Sequence, residues 1–312
     1  MGRLGAAAVA ALCGVVAGSF YLTVLLGSPG ALILVYLTQL PLFAAGLWLG
    51  LGAAAIAGAT ATLILLATSD LLAAAIFAAL NAVPVVLLVR QALLARPGAD
   101  NRVIWYPPGL LAAWLTGVAL AGIAAALIAF GGPTAFHATL RAAVAHELAR
   151  LPLQGTEADR TALAGAFALV IPGMVAASWM VMTVINGALA QGLLARFKLN
   201  WRSSPELTAL DLPRWVAGAL AVAAGLTLFG GVLRFIGINV LITLVVPFGL
   251  AGLAVLHTAT QRLQHPRVAL VVFYTLAGLF GWPLLVAAAF GLCEPWLGLR
   301  RRLAPGKGMP NG

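Results

Sequence analysis

The chain is written in long apolar blocks, each closed by a short cluster of turn-forming or basic residues. Blocks of about 20 residues suit helices that cross the ~30 Å hydrocarbon core of a bilayer. The blocks are Leu4–Leu26, Ala31–Leu49, Ala53–Ala67, Leu71–Val89, Gly109–Phe130, Ala162–Leu194, Trp215–Leu233, Ile236–His257 and Val268–Leu299. They lack the apolar/polar alternation of a transmembrane strand, and a spanning chain must be helix or closed barrel to satisfy its own backbone. The pattern predicts an all-α, polytopic transmembrane helical bundle with about eight or nine membrane segments. One amphipathic extracytoplasmic helix joins them: Phe136, Leu140, Val144, Leu148 and Leu151 recur at helical spacing, with His137, Arg141, Glu147 and Arg150 largely on other faces. Thr156, followed three residues later by Asp159, then marks a helix start leading into the sixth block.

Composition supports this picture. Hydrophobic residues make up 62% of the 312 and charged residues 8%, where a soluble domain carries about a quarter charged. Lipid is therefore the expected solvent, and residues 1–302 are read as a single integral membrane domain with a flexible tail at 303–312. The basic start and apolar run up to Val16 continue to Leu26 without a cleavage site, so an uncleaved first span is expected. Cys13 and Cys293 lie far apart in apolar runs and predict neither disulfide nor metal site.

Charge sets the expected orientation. The net charge is +10, but the cations sit at the ends of apolar blocks rather than on a basic face, so nucleic acid is not an expected partner. Arg90, Arg96 and Arg102 crowd one loop, with Asp100 alone against them, and Arg196, Lys198, Arg202 and Arg214 crowd another, whereas Ala135–Arg160 balances Arg141, Arg150 and Arg160 with Glu147, Glu157 and Asp159. Basic loops stay in the cytoplasm. This places the Arg90–Arg102 and Arg196–Arg214 loops inside and, counting back through four crossings, the N-terminus inside as well, in agreement with Arg3. Arg262 and Arg267 ask to be inside, as do Arg300, Arg301, Arg302 and Lys307. A single crossing between them cannot satisfy both. Either Val268–Leu299 folds back at Gly281-Trp282-Pro283, or Ile236–His257 does not fully span, or the rule fails here; a cytoplasmic C-terminus is favoured.

Candidate chemistry rests on amides. Gln39, Asn81, Asn186 and Asn239 fall inside apolar blocks, with Gln191 nearer a boundary. An unpaired amide in hydrocarbon costs several kcal/mol, so each must meet protein, water or ligand. Pro41, Pro84, Pro172, Pro247 and Pro283 each remove a helical hydrogen bond and release a carbonyl four residues back. Gln39 and Asn81 lie close to such prolines, and broken helices of this kind line substrate sites in transporters. Gln39, Asn81, Trp179, Asn186 and Asn239 are therefore the ligand-binding candidates, and ordinary interhelical hydrogen bonding is the alternative. Small residues four apart, Ala7 with Ala11 and Gly14 with Gly18, are candidates for packing against a partner helix. Enzyme signatures fail: His146 opens HELAR without the second histidine of a zinc motif, and no nucleotide loop or nucleophile elbow is present. The expectation is no enzyme, no cofactor and no metal.

Asn186 with the basic loop after it, Leu212-Pro213, Asn239, Gly252 to His257, and Gly291-Leu292 with Glu294, Trp296 and Arg300 together resemble the YybS-like family of bacterial membrane proteins. That family tends to carry aspartate where this chain has Glu294. Its first six spans are similar to the substrate-binding subunits of energy-coupling-factor transporters. The resemblance implies a small-molecule pocket near the outer side beneath Phe136–Leu151, a surface at Ala7 and Ala11 for a membrane subunit, and an ATPase module as partner. Two functions follow as expectations: a small-solute binding or transport subunit, or a structural or assembly factor of the cell envelope acting through helix contacts.

Overall fold

The computed structural model describes residues 2–98, 102–152 and 156–303; the tail expected at 303–312 lies outside them but for Leu303. Among the described residues seven helices are long and apolar enough to cross a membrane, and eight if a bent C-terminal pair counts as one. The polytopic helical bundle is thus what the structure shows. Its contacts divide it into two compact units: residues 2–107 with 180–205, and 108–179 with 206–303.

The first unit opens with α1 (Arg3–Leu25), α2 (Ala31–Tyr36), α3 (Gln39–Leu49) and α4 (Leu51–Thr68). Next come α5 (Leu71–Phe77), a π-helical turn (Ala78–Ala82) and α6 (Val83–Ala92). Two short antiparallel strands, β1 (Ala95–Pro97) and β2 (Val103–Trp105), close it. Gly14 lies against the backbone of Ala57, and Gly18 one turn later against Ala61, so α1 and α4 run parallel in close contact. A Cβ on Gly14 would overlap the Ala57 carbonyl. The small-residue stripe expected to receive a partner helix is, at Gly14 and Gly18, filled by α4 of the same chain, while Ala7 and Ala11 remain half-buried.

The second unit contains α7 (Pro108–Ala129), α8 (Pro133–Ala149), the N-terminal part of the 40-residue α9 (Glu157–Arg196), α10 (Arg214–Thr227), α11 (Gly231–Thr260), α12 (Pro266–Phe280), α13 (Trp282–Leu297) and α14 (Leu299–Leu303). α8 is the amphipathic helix. Its Phe136 and Leu148 are buried and Leu140 and Val144 half-buried, but Leu151 lies beyond its end and is exposed. Phe136 stacks against Phe130 and Phe235 with ring centroids 5.0 and 6.4 Å apart. At the start of α9 the Thr156 amide donates to Asp159 Oδ2 (2.8 Å) and the Asp159 amide to Thr156 Oγ1 (3.2 Å), a capping box that satisfies donors the helix itself cannot.

The seventh block is corrected. Trp215–Leu233 is not one span: the helix stops at Thr227, and α10, at 14 residues, is only about 21 Å long. Gly230 and Gly231 turn the chain straight into α11, and Gly237 of α11 lies against Ala223 and Thr227 of α10. Hydropathy alone did not register this turn because Leu228 and Phe229 keep the run apolar.

The C-terminal charge conflict is resolved by the fold-back. α12 and α13 are bent by 116° at Gly281, whose φ of 71° is one that side-chain-bearing residues rarely adopt. Each helix is shorter than the hydrocarbon core, and the pair leaves and returns to the same end. Arg262 donates to the Arg302 carbonyl at 2.6 Å, so both basic clusters share that end. α11 and α13 run parallel, with Gly252 facing Gly291. A Cβ on Gly252 would overlap the Ala287 carbonyl, and one on Gly291 would overlap that of Phe248.

Candidate functional site

In the first unit the second apolar block breaks in two. The helix stops at Tyr36 and resumes at Gln39, with Pro41 in the first turn of the new helix, where its missing N–H is least costly. The break exposes backbone and brings two amides to one place. Asn186, from the C-terminal half of α9, donates through Nδ2 to the Tyr36 carbonyl (2.6 Å) and to Met182 (2.8 Å). Gln39, three residues after Tyr36, donates through Nε2 to the Leu80 carbonyl at 3.1 Å. Leu80 stands four residues before Pro84, which has no N–H to offer it, and lies in the π-helical turn that also carries buried Asn81.

The expected pairing of amide and proline-released carbonyl is therefore real, but across helices. Gln39 answers Pro84. Thr38, completely buried, completes the spot and bonds back to Leu34. Gln39 is 0% and Asn186 1% exposed, yet the oxygens Gln39 Oε1 and Asn186 Oδ1 have no partner among the described residues. Turning either amide over would set its oxygen against carbonyl oxygens, so the orientation is fixed by the donors. What remains open at this site is two acceptors, Gln39 Oε1 and Asn186 Oδ1, together with the second N–H of Gln39 Nε2.

The other candidates sit elsewhere. Asn239 belongs to the second unit and is engaged at both ends of its amide. It accepts from the Gly173 N–H at 2.6 Å and donates to the carbonyls of Leu169 (3.0 Å) and Phe235 (2.7 Å). It thus inserts into the helix next to Pro172, replacing the hydrogen bond that Gly173 would give to Leu169. This is interhelical bonding, the alternative reading of the amides. Replacing Asn239 by Leu should cost only about 1–2 kcal/mol, because Gly173 and Leu169 can then pair with each other. Asn239→Asp should cost more, since a carboxylate faces two carbonyls with no donor between them. Thermal unfolding of the purified variants is expected to rank wild type above Leu above Asp. Trp179 is half-buried in the second unit's part of α9.

Two residues escaped the sequence reading. Arg202 was counted only as a loop charge, but it is 5% exposed and donates to the carbonyls of Ala92 (3.0 Å) and Tyr106 (2.8 Å). Its own carbonyl accepts from Gln191 Nε2 (2.8 Å), so this amide ties the end of α9 to the loop after it. Burial lowers the Arg202 pKa, and no carboxylate among the described residues pairs with it. In the second unit Arg300 joins Glu294 (2.9 Å), Asp211, and the carbonyls of Thr208 (2.9 Å) and Leu210 (3.1 Å). Glu294 lies only six residues before Arg300, but the segment at 208–211 is about 90 residues away along the chain and had no local signal. Among the described residues no cluster of three or more histidine, cysteine or acidic side chains suits a metal ion.

Comparison with protein families adds one finding. A model described as a predicted membrane protein, DUF2232, matches residues 15–293, nearly the whole helical body. The chain belongs to the DUF2232 family. No curated protein and no solved structure matches it. Membership of DUF2232 agrees with the membrane-embedded bundle described above.

Proposed function

We propose that this DUF2232 protein is a small-solute binding or transport subunit, not an enzyme, whose ligand is uncharged or weakly polar and docks by donating hydrogen bonds at the break between α2 and α3. The carrying observation is the pair of buried, unpartnered oxygens, Gln39 Oε1 and Asn186 Oδ1. An unpaired buried acceptor costs about 1–3 kcal/mol, and a ligand N–H or O–H recovers that cost on binding. Discontinuous helices and a π turn provide the local freedom that admission of a solute requires. The proposal is in line with the likeness to the YybS-like family and to energy-coupling-factor substrate subunits, and it makes an ATPase-bearing partner the natural companion. Positive loops give the orientation: for the first unit, the end holding Arg90, Arg96, Arg196 and Arg202 faces the cytoplasm of a bacterial inner membrane, and for the second, the end holding Arg262 and Arg302 does.

The test is a thermal-stability screen of the purified protein against small hydroxylated and amine- or amide-bearing metabolites. A ligand at 100 times its Kd stabilises by about 2.7 kcal/mol. The expected result is a hit whose stabilisation is lost in Gln39→Leu and Asn186→Leu and kept in Asn239→Leu. A hit indifferent to the first two variants overturns this site. No hit at all, together with co-purification of envelope proteins lost on substitution at exposed helix faces, favours the assembly-factor reading.

A further inference from the structure

The polar end of the first unit carries a charge imbalance that the solute site does not use. Arg90, Arg96, Arg102, Arg196 and Lys198 are all exposed there, and against these five cations the sequence of that end sets Asp100 alone, which lies outside the described residues. The two-stranded ribbon β1–β2 and the turn after α9 hold them close to the helix ends: the Tyr106 amide donates to Leu94 at 2.9 Å, and Arg202 clamps Ala92 and Tyr106. Between the cations stand exposed apolar side chains, Val103, Ile104, Phe197, Leu199 and Trp201. Trp201 is 63% exposed although its ring edge lies beside Gly50 at the α3–α4 junction.

The backbone adds a second observation. Lys198 is the one non-glycine residue with positive φ among those described, at 57°. It follows the end of α9, where the Leu199 amide donates to Leu194 at 2.9 Å, and glycine is the residue that suits this left-handed position without strain. A lysine there places a cation at the helix end at a backbone cost that a glycine would avoid.

We propose that this end of the first unit is a binding surface for the head groups of anionic phospholipids. Cations alone would suit any polyanion. The interleaved tryptophan, phenylalanine and aliphatic side chains need an apolar medium directly beneath the charge, and the head-group layer of a bilayer supplies both within a few ångströms. An acidic protein would have to bury those same side chains at the rim of the membrane. Arg202 acts as a positioning residue: tied to backbone carbonyls, it fixes the turn that displays Lys198 and Trp201.

The test uses the full chain in bilayers of phosphatidylcholine with or without phosphatidylglycerol, each supplied with brominated acyl chains. The readout is quenching of Trp201 fluorescence, taken as the difference between wild type and Trp201→Phe. The wild type is expected to prefer phosphatidylglycerol by about fivefold or more, and the combination Arg96→Gln, Arg102→Gln, Arg196→Gln and Lys198→Gly to bring the ratio close to one. Lys198→Gly alone removes a charge while relieving the backbone, so it should lower the ratio without loss of folding. The triple change Arg262→Gln, Arg267→Gln and Arg301→Gln should leave the ratio unchanged. Equal quenching by the two lipids in the wild type overturns the proposal and points to an acidic protein instead. Displacement by glycerol phosphate in solution overturns it in favour of a soluble anion. Loss of preference in the Arg262, Arg267 and Arg301 variant overturns the assignment to this surface.

Discussion

Gly252→Leu and Gly291→Leu should each prevent accumulation of the folded protein in membranes, and the milder Gly291→Ala should lower its thermal stability sharply. The reason is geometric. α11 and α13 run parallel with their backbones in contact, and the space that a Cβ would need at Gly252 is held by the Ala287 carbonyl, at Gly291 by the Phe248 carbonyl. Neither obstacle is the end of a flexible side chain. The helices must move apart, which separates the closely packed atoms on both sides of the crossing. In lipid that loss weighs heavily, because association rests on packing rather than on exclusion of water. Overfilling a packed core costs about 1–3 kcal/mol when side chains can adjust, and a backbone-to-backbone obstacle should exceed that. Gly249→Ala in α11 and Gly278→Ala in α12 are the controls. Nothing lies within 4 Å of a Cβ at either position, so the helix propensity of alanine should leave stability unchanged or raise it by up to about 1 kcal/mol. Equal effects at Gly291 and Gly249, read from thermal unfolding of the detergent-solubilised protein, would show that the crossing is not closely packed.

What the sequence made legible follows the range of the interactions. Spans are local, so hydropathy located α1, α4 and α7 within a few residues. The capping box at Thr156 and Asp159 is also local and was readable. The stop after Thr227 was not, because apolar residues at 228 and 229 cost nothing in lipid and only Gly230-Gly231 marked the turn. Charge gave a contradiction at the C-terminus that was itself informative: the fold-back at Gly281 is the arrangement that lets Arg262 and Arg302 meet. Non-local pairing lay beyond reach. Proline and amide do meet, yet Gln39 bonds the carbonyl of Leu80, 41 residues further on and released by Pro84, rather than one near Pro41. Asn239 looked equivalent to Asn186 in sequence. The structure separates them, since one has both amide ends engaged and the other keeps an oxygen unpartnered.

Glycine packing was hidden for a different reason. With 35 glycines in the chain, Gly252 and Gly291 carry no distinguishing local pattern, and their importance arises only from the crossing they share. The same holds for Arg202 and Arg300. In sequence they are two of many loop cations, and each becomes a structural centre through carbonyls supplied from distant segments.

Arg300→Met is expected to be the most damaging single side-chain substitution outside the helix crossings. The guanidinium of Arg300 holds Glu294 at the end of α13, Asp211, and the carbonyls of Thr208 and Leu210 in the segment leading to α10. Burial works against its charge, but the hydrogen bonds and charges of Asp211 and Glu294 outweigh it and raise its pKa further. The arginine therefore stays protonated at any accessible pH. Its removal does not simply delete an attraction. Glu294 is buried, and without its partner it is left as an uncompensated charge, a situation that costs about 3–5 kcal/mol, while two carbonyls lose their donor. Asp211 is largely exposed and contributes little, so Asp211→Asn should be nearly silent. The double variant Arg300→Met with Glu294→Gln removes the stranded carboxylate and should recover a large part of the loss. Lysine at position 300 should rescue only partly, because one ammonium cannot reach Glu294 and both carbonyls with the geometry of a guanidinium. A double-mutant cycle on Arg300 and Glu294, followed by thermal unfolding, is the measurement: additive losses would mean that the pair is not coupled and that the contact is incidental to the fold.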